Sequence, residues 1–305
     1  MDGAMHGERA ALVALLRARP GGMSWSEITA DVLEAGSALQ VWDATVPATL
    51  MALPGEDDPL GSAAEDIGRW ASQGHRLLTI LDAEYPSRLR GIHQAPPVLF
   101  ARGTLLPDEV AVSVVGSRQA SDRGLRIAAH LAQELAARNV TVLAGLALGI
   151  DTAAHRAALD ADGRTVAVIG TGINKTYPAA NRALHEEIAS HGLLLSQFWP
   201  DAPPQKSNFP MRNATMSGYG IATVVVEAGE QSGARIQARL AVEHGRPVIL
   251  TELVVERNDW AKALVGRPGV HVAERPSAVL SVIEELITEG ARVDAELLRL
   301  VSAQT

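Results

Sequence analysis

Apolar and polar positions along this chain follow two different periods. From Val110 onward, short β-branched runs alternate with stretches in which apolar residues recur every three or four positions. The runs 111–115, 141–144, 165–169, 193–196, 222–226 and 247–251 predict strands, and the stretches 123–138, 151–160, 179–190, 211–219 and 233–244 predict helices. Continuous apolar strands separated by helices predict an α/β fold, a parallel sheet with helices on both faces. Upstream, residues 7–19 read as a helix closed by Pro20-Gly21-Gly22, and Ser24 with Glu27 has the spacing of a capping box for the next helix. Residues 54–66 read as a surface loop. Residues 75–81 (H-R-L-L-T-I-L) read as a strand entering an extended turn limited by Pro86. Ser277 to Ser302 predicts two amphipathic helices separated by Gly290. The pattern divides the chain into an N-terminal helical domain over 1–72, an α/β domain over 73–275 and a C-terminal helical tail over 276–305.

With 305 residues, 47% of them apolar, the chain has ample material for a buried core. It has no cysteine, which excludes disulfides, thiol catalysis and cysteine-ligated metal centres. No apolar run approaches the length of a membrane span, and the N-terminus lacks a charged-then-apolar signal pattern, so a cytoplasmic setting is expected. The net charge of −8 argues against adhesion to nucleic acid through bulk positive charge. The charge is uneven, however. Lys and Arg against Asp and Glu number 8 and 15 over residues 1–110, 13 and 11 over 111–250, and 6 and 9 over 251–305. Only the central segment is net basic, which gives weak support to an anionic ligand there.

The candidate chemistry lies where the predicted strands end. The first runs into Gly116-Ser117-Arg118 and the second into Gly145-Leu-Ala-Leu-Gly149-Ile-Asp151, with His155 one helical turn on. Successive strands ending in glycine turns that open helices place backbone N–H groups and positive helix ends at one sheet edge, a surface suited to phosphates. Arg118 is either a bidentate phosphate ligand or an ordinary exposed arginine. Asp151 and His155 at i, i+4 are open to three readings: a metal pair, an acid/base pair, or a helix cap with a ring packed near the ligand. The absence of a third ligand nearby in sequence favours the last. Gly170-Thr171-Gly172, with Lys175 just beyond, is either another phosphate turn or simply a tight one. The loop 198–210 is longer than a normal crossover and carries Lys206; its Trp199 or Phe209 either stacks a base or seals the sheet edge. Arg212 and Asn213 follow in the first turn of a helix, with polar groups free for a phosphate or base. Ser232 and Gly233 open the next helix. Glu227 at the fifth strand's end accepts from a sugar hydroxyl, holds Arg212 or caps a helix.

Taken in order, Y-P-x-x-L (85–89), P-P-V-L-F-x-R-G (96–103), V-G-S-R (115–118), G-L-A-x-G-I-D-x-x-A-H (145–155), Y-P-A-x-N (177–181), F-P-M-R-N (209–213) and V-V-E-A-x-x-x-S-G-A (225–234) resemble the DNA-processing protein A (DprA/Smf) family. The resemblance spans roughly residues 75–250, with a looser match over the N-terminal helices. It implies an extended Rossmann-like domain behind a SAM-like helical one. It further implies sequence-independent binding of single-stranded DNA, homodimers, and help in loading a RecA-type recombinase during natural transformation, with no cofactor and no enzymatic activity. In that family the V-G-S-R cation and the R-N pair lie at the DNA groove, which maps to Arg118, Arg212 and Asn213.

The sequence also departs from the family pattern. Leu148 stands where the glycine turn usually carries a cation, Ala214 where arginine commonly follows R-N, and Ser196-Gln197 where S-E is usual. Residues 251–260 replace the usual P-G segment, and the tail is too short for the winged-helix domain of many members. Two cations are thus missing from the expected DNA site. That loss favours an alternative, a sensor of a small nucleotide in the same pocket. A phosphoribohydrolase-like enzyme is the least supported reading, because E-A-G-E-Q-S-G-A-R (227–235) lacks the paired glycines and the helix glutamate of that class.

Overall fold

In the computed structural model, which describes residues 2–46 and 58–302, the N-terminal region forms α1 (Asp2–Ala18), α2 (Trp25–Ala35), α3 (Ala38–Thr45) and α4 (Pro59–Ser72). The capping box is present: the Glu27 N–H donates to the Ser24 Oγ, and the Ser24 N–H donates to the Glu27 carboxylate at 2.7 Å. In α1, Ala10 through Leu16 are all buried, as expected of a helix that is apolar on every side. Residues 54–57 of the expected loop lie outside the described residues, but 59–66 are helical. Asp58 accepts from the Leu60 N–H, Pro59 takes the first helical position, and Ala63, Ile67 and Trp70 at i, i+4, i+7 form the buried face. The acidic, Pro- and Gly-rich start of this stretch conceals its helical period.

The chain continues through β1 (Arg76–Thr79), α5 (Ser87–Arg90), β2 (Val98–Gly103), β3 (Ala111–Gly116), α6 (Asp122–Ala137), β4 (Thr141–Ala144), α7 (Ile150–Asp160), β5 (Thr165–Val168), α8 (Arg182–His191) and β6 (Leu193–Ser196). There follow α9 (Asn208–Tyr219), β7 (Ala222–Glu227), α10 (Gly233–Glu243), β8 (Val248–Thr251), α11 (Glu252–Arg257), α12 (Asp259–Lys262), β9 (Val270–Ala273) and α13 (Pro276–Ser302). Nine strands form one sheet in the order β1-β2-β6-β5-β4-β3-β7-β8-β9. All neighbours from β6 to β9 pair in parallel, while β1–β2 and β2–β6 pair antiparallel. The parallel part is the Rossmann-like sheet expected from the alternation. Strands β2 and β9 extend it at either end; β2 lay hidden in the P-P-V-L-F-x-R-G motif and β9 in a short, half-exposed V-H-V-A.

The helices of 1–72 share a core with this sheet. Leu12, Leu15, Val32, Trp42 and Trp70 pack in one cluster with Leu77, Phe100, Ala167 and Leu194. Further along the sheet, Val112, Val114, Val142 and Val224 pack under α6, α7 and the first turns of α13. No helix among the described residues is long and apolar enough to cross a membrane.

The tail is one helix rather than two, so the expected break at Gly290 is corrected. A glycine within a helix lowers its stability but removes no hydrogen-bond donor, and Gly290 does not adopt a positive φ. Because no atom lies within 4 Å of a Cβ built there, Gly290→Ala has room. It should stabilise the helix by about 1 kcal/mol, read as roughly fivefold slower amide hydrogen exchange over the last turns. Unchanged exchange would mean the helix is interrupted at that residue.

Candidate nucleic-acid interface

The strand order reverses between β4-β5-β6 on one side of β3 and β7-β8-β9 on the other, and the carboxyl ends of β3, β4 and β7 open onto the crevice this creates. A cleft of about 590 Å³ occupies it, lined by the Gly116–Gln119 turn, Ala147, Asp151, Phe209, Arg212, Asn213 and the start of α10 at Ser232 and Gly233. A smaller pocket adjoins it across Arg118 and Phe209 and adds Gly145, Leu148, Gly170 and Tyr177.

Arg212 is buried and committed to the fold. Its Nη1 donates to the Gly145 carbonyl at 2.5 Å and to the Val168 carbonyl at 2.8 Å, and its Nε donates to Asn213 Oδ1 at 3.0 Å. Asp151 is buried on the opposite side of the same glycine, where its Oδ2 accepts from the Gly145 N–H at 2.9 Å. The N–H and C=O of Gly145 are therefore each held by an opposite charge. No side chain but hydrogen fits here, since a Cβ on Gly145 would strike the Arg212 guanidinium. Burial raises the Asp151 pKa, and the Arg212 charge opposes that rise. The expectation that Arg212 and Asn213 stand free in a first helical turn is corrected. Because α9 begins at Asn208, both lie in its second turn, and Asn213 donates to the Gly233 carbonyl at 3.3 Å. Only Arg212 Nη2, at the cleft wall, has no partner among the described residues.

Arg118, by contrast, is exposed and makes no ion pair among the described residues. Its guanidinium lies 5.4 Å from the Phe209 ring centroid, and the Tyr177 ring lies 5.8 Å from Phe209 on a tilt. Phe209 thus lines the cleft with its ring beside Arg118 and Tyr177. Gly170 makes room for it, because a Cβ there would meet the ring at 2.9 Å. Gly149 (φ 78°) turns the chain into α7 against the Ser117 carbonyl. Leu146 before it is buried with φ 58°, held in that left-handed conformation by Asn181, which donates to its carbonyl at 2.9 Å. Ser232 caps α10 by accepting from the Ala234 N–H, which leaves Gly233 exposed at a positive helix end.

Other expected groups fall elsewhere. Asp151 is not the cap of α7, where Gly149 stands, but reaches back from the second helical position. His155 lies in the core. Its Nδ1 donates to Thr165 Oγ1 at 2.6 Å, because that hydroxyl already donates to the Val142 carbonyl. Asp151 and His155 thus bind different partners, which removes both the metal-pair and the acid/base readings; no set of three or more potential metal-binding His, Cys, Asp or Glu exists among the described residues. Glu227 takes the cap reading, accepting from the Ser121 hydroxyl at 2.6 Å and from its N–H at the start of α6, and does not hold Arg212. Trp199 packs in an aromatic cluster with Trp25, Trp70 and Phe100 and seals the N-terminal helices to the long loop. Gly172 is buried with its N–H donating to the Ala202 carbonyl, Lys175 lies 3.5 Å from Asp201, and Lys206 is exposed on the loop; none of the three lines the cleft. Leu148 is 43% exposed beside Arg118, whereas Ala214 is 3% exposed and faces α2 across α9. Only one of the two missing cations therefore concerns the cleft. Tyr177, Gln119 and Gln231 are cleft residues that sequence reasoning passed over; for Tyr177 the signal was the aromatic of Y-P-A-x-N itself.

The family model described as DNA recombination-mediator protein A matches residues 76–274. The sequence is 38% identical to the DNA processing protein DprA of Bacillus subtilis (strain 168) over 184 residues, 60% of this chain and 62% of that protein. The match spans under two thirds of the curated relatives' own lengths. The structure resembles the X-ray structure of DprA from Streptococcus pneumoniae with a TM-score of 0.69 and 32% identity, covering 88% of this chain and 96% of that one. It shares its fold with DNA processing protein A from Helicobacter pylori, whose single-stranded DNA binding mode is known, at a TM-score of 0.62 and 24% identity over 70% of this chain and 96% of that one.

The buried arrangement around Gly145 predicts a large effect on stability. Arg212→Met leaves two strand-end carbonyls without a donor and Asp151 without its opposing charge, and should cost about 3–5 kcal/mol in urea unfolding. A cost within the scatter of surface substitutions would show that Arg212 is not a strut. A second expectation concerns pH. Burial lowers the His155 pKa from 6.5 to about 3, so between these values the unfolded chain binds a proton that the native one refuses. Stability is therefore retained above pH 6.5 and falls as pH drops toward 3, by up to about 1.4 kcal/mol per unit from this residue. Comparing His155→Gln with the parent protein should show a shallower pH dependence in the variant; identical slopes would refute the assignment.

Proposed function

The chain belongs to the DNA recombination-mediator protein A family, and from that membership we propose that it binds single-stranded DNA along the cleft and passes it to a RecA-type recombinase. The observation that carries the reading is the exposed Arg118, without an ion-pair partner among the described residues, seated on Phe209 beside Tyr177 at the edge of a positive helix end. A cation next to exposed aromatic faces, over main-chain donors, suits a phosphate and its neighbouring base whatever the sequence, because every phosphate has the same charge and every base has a π-face. The net charge of −8 fits a groove-confined rather than a diffuse attraction. We read the cleft as a binding and not a catalytic surface, since Asp151 is occupied with main-chain amides and His155 is sealed in the core. Homodimerisation, the recombinase partner, a role in transformation and a cytoplasmic setting belong to the same proposal on the strength of the family.

Leu148 supports a second reading. An exposed apolar side chain beside Arg118 and Tyr177 suits the apolar part of a small nucleotide better than a phosphate track.

One pair of variants separates the two. Arg118→Ala should weaken binding to oligo-dT, oligo-dC and oligo-dA alike and lower the salt slope by about 0.7 for each phosphate no longer neutralised, with the fold unchanged. Leu148→Lys should tighten single-stranded DNA binding roughly five- to tenfold at low salt if the cleft tracks phosphates. If it instead abolishes binding of a mononucleotide and adds nothing for DNA, the sensor reading stands. An unchanged salt slope in Arg118→Ala would remove the DNA assignment.

A further inference from the structure

Two guanidinium groups line the cleft with donors left over. Arg212 is 6% exposed; its Nη1 and Nε are engaged within the fold, and its Nη2 at the cleft wall is not. The same side chain is tied to the start of α10, because Asn213, which accepts from Arg212 Nε at 3.0 Å, donates from Nδ2 to the Gly233 carbonyl at 3.3 Å. At that helix start the Gly233 N–H has no acceptor among the described residues, and the first turn carries no acidic residue. Arg118 lines the same cleft, exposed and without an ion pair among the described residues. Asp151 is the one carboxylate among the described lining residues, and its Oδ2 is turned to the Gly145 and Ala147 amides. Two guanidiniums and the half charge of a helix start therefore face one carboxylate, a net of about +1.5. Burial lowers the Arg212 pKa, Asp151 opposes that and the Arg118 charge adds to it, so an anion touching both guanidiniums relieves their repulsion.

We propose that the cleft takes the terminal phosphomonoester of a nucleotide in preference to a phosphodiester inside a strand. The inference rests on the reading of the cleft as a nucleic-acid site and narrows its ligand. An internal phosphodiester brings one negative charge and two free oxygens, whereas a terminal monoester brings about −1.5 to −2 charges near pH 7 and three free oxygens. The second group matches the net charge of the cleft, and its three oxygens match three donors: Arg118, Arg212 Nη2 and the Gly233 N–H. Depth points the same way. An internal phosphate leaves through an ester bond on each side, while a terminal one has a free side that can enter against a group as buried as Arg212. The end of a strand and a free mononucleotide both offer this group.

The test titrates the full chain with short oligo-dT carrying an internal fluorophore and ending, at the 5′ or the 3′ side, in a hydroxyl, a phosphoryl or a methylphosphoryl group. A phosphoryl end should tighten binding about tenfold over a hydroxyl end, and a methylphosphoryl end, which adds the group without the second charge, should give little of that gain. Gly233→Asp has room, since no atom lies within 4 Å of a Cβ there, and its carboxylate stabilises the start of α10 while opposing the anion. It should keep Tm at or above the parent value and remove the phosphoryl gain; Gly68→Asp, on α4 where a Cβ also has room, should keep the gain. Thymidine monophosphate, and not thymidine, should displace the phosphoryl oligonucleotide: displacement near the oligonucleotide's own Kd assigns the site to free mononucleotides, and displacement only far above it assigns the site to strand ends. Equal binding of phosphoryl and hydroxyl ends at both termini, a full gain from the methylphosphoryl end, or an undiminished gain in folded Gly233→Asp would each overturn the proposal. If the ends bind equally while Arg118→Ala still weakens every oligonucleotide, the cleft reading survives without it; if no binding depends on Arg118, both fall.

Discussion

The rest of the molecule is organised around one main-chain position held between two buried charges. Gly145 directly follows β4, and its amide and carbonyl are taken by Asp151 from α7 and Arg212 from α9. The same guanidinium nitrogen also takes the Val168 carbonyl at the end of β5, so one side chain closes two adjacent strand ends that have no further ladder partner. Charges buried so deeply are costly unless every lone pair and proton is used. Here Arg212 Nη1 and Asp151 Oδ2 are used on the backbone, which is why the turn after β4 requires glycine at 145 and tolerates a left-handed Leu146.

This arrangement divides labour between the two arginines of the cleft. Arg212 sets the positions of β4, β5 and α9, and through α9 it places Phe209. Phe209 in turn carries Arg118, whose guanidinium stays in solvent with its charge unspent. A cleft built this way rests an exposed cation on a buried frame. Its charge is local, which reconciles an acidic chain with the anionic ligand proposed for the cleft. The same helix that carries Phe209 toward the cleft turns Met211 and Ala214 toward α2. The N-terminal helices are therefore part of the frame: their Trp25 and Trp70 hold Trp199 at the base of the loop that leads to Phe209.

Much of the site was legible in the sequence as positions and little of it as roles. Gly116, Arg118, Gly145, Phe209, Arg212, Asn213, Ser232 and Gly233 do meet around one crevice, because strand–turn–helix spacing forces successive strand ends to a common edge. Which of two arginines faces solvent is a different matter. It depends on the second turn of α9 passing beneath β4 and β5, and no local pattern around F-P-M-R-N encodes that depth. Ala214 makes the same point in reverse. Two residues after Arg212 on a helix lies the opposite side, so a cation at 214 would project toward α2 and never into the cleft.

By itself the sequence determined the elements whose signals are local: the alternation of β-branched strands with amphipathic helices, the capping box at Ser24 and Glu27, and the glycine turns that need small or left-handed residues. These follow from steric and hydrogen-bonding constraints within a few residues. Only the tertiary structure decided what depends on partners distant along the chain. The antiparallel extension through β1 and β2 is set by pairing with β6, far along the chain, and the continuity of α13 through Gly290 follows its first turns packing under α6. The roles of Asp151, His155 and Glu227 were each fixed by a partner from another element, and a titratable side chain becomes a strut, a core ring or a ligand group according to who meets it when the chain closes.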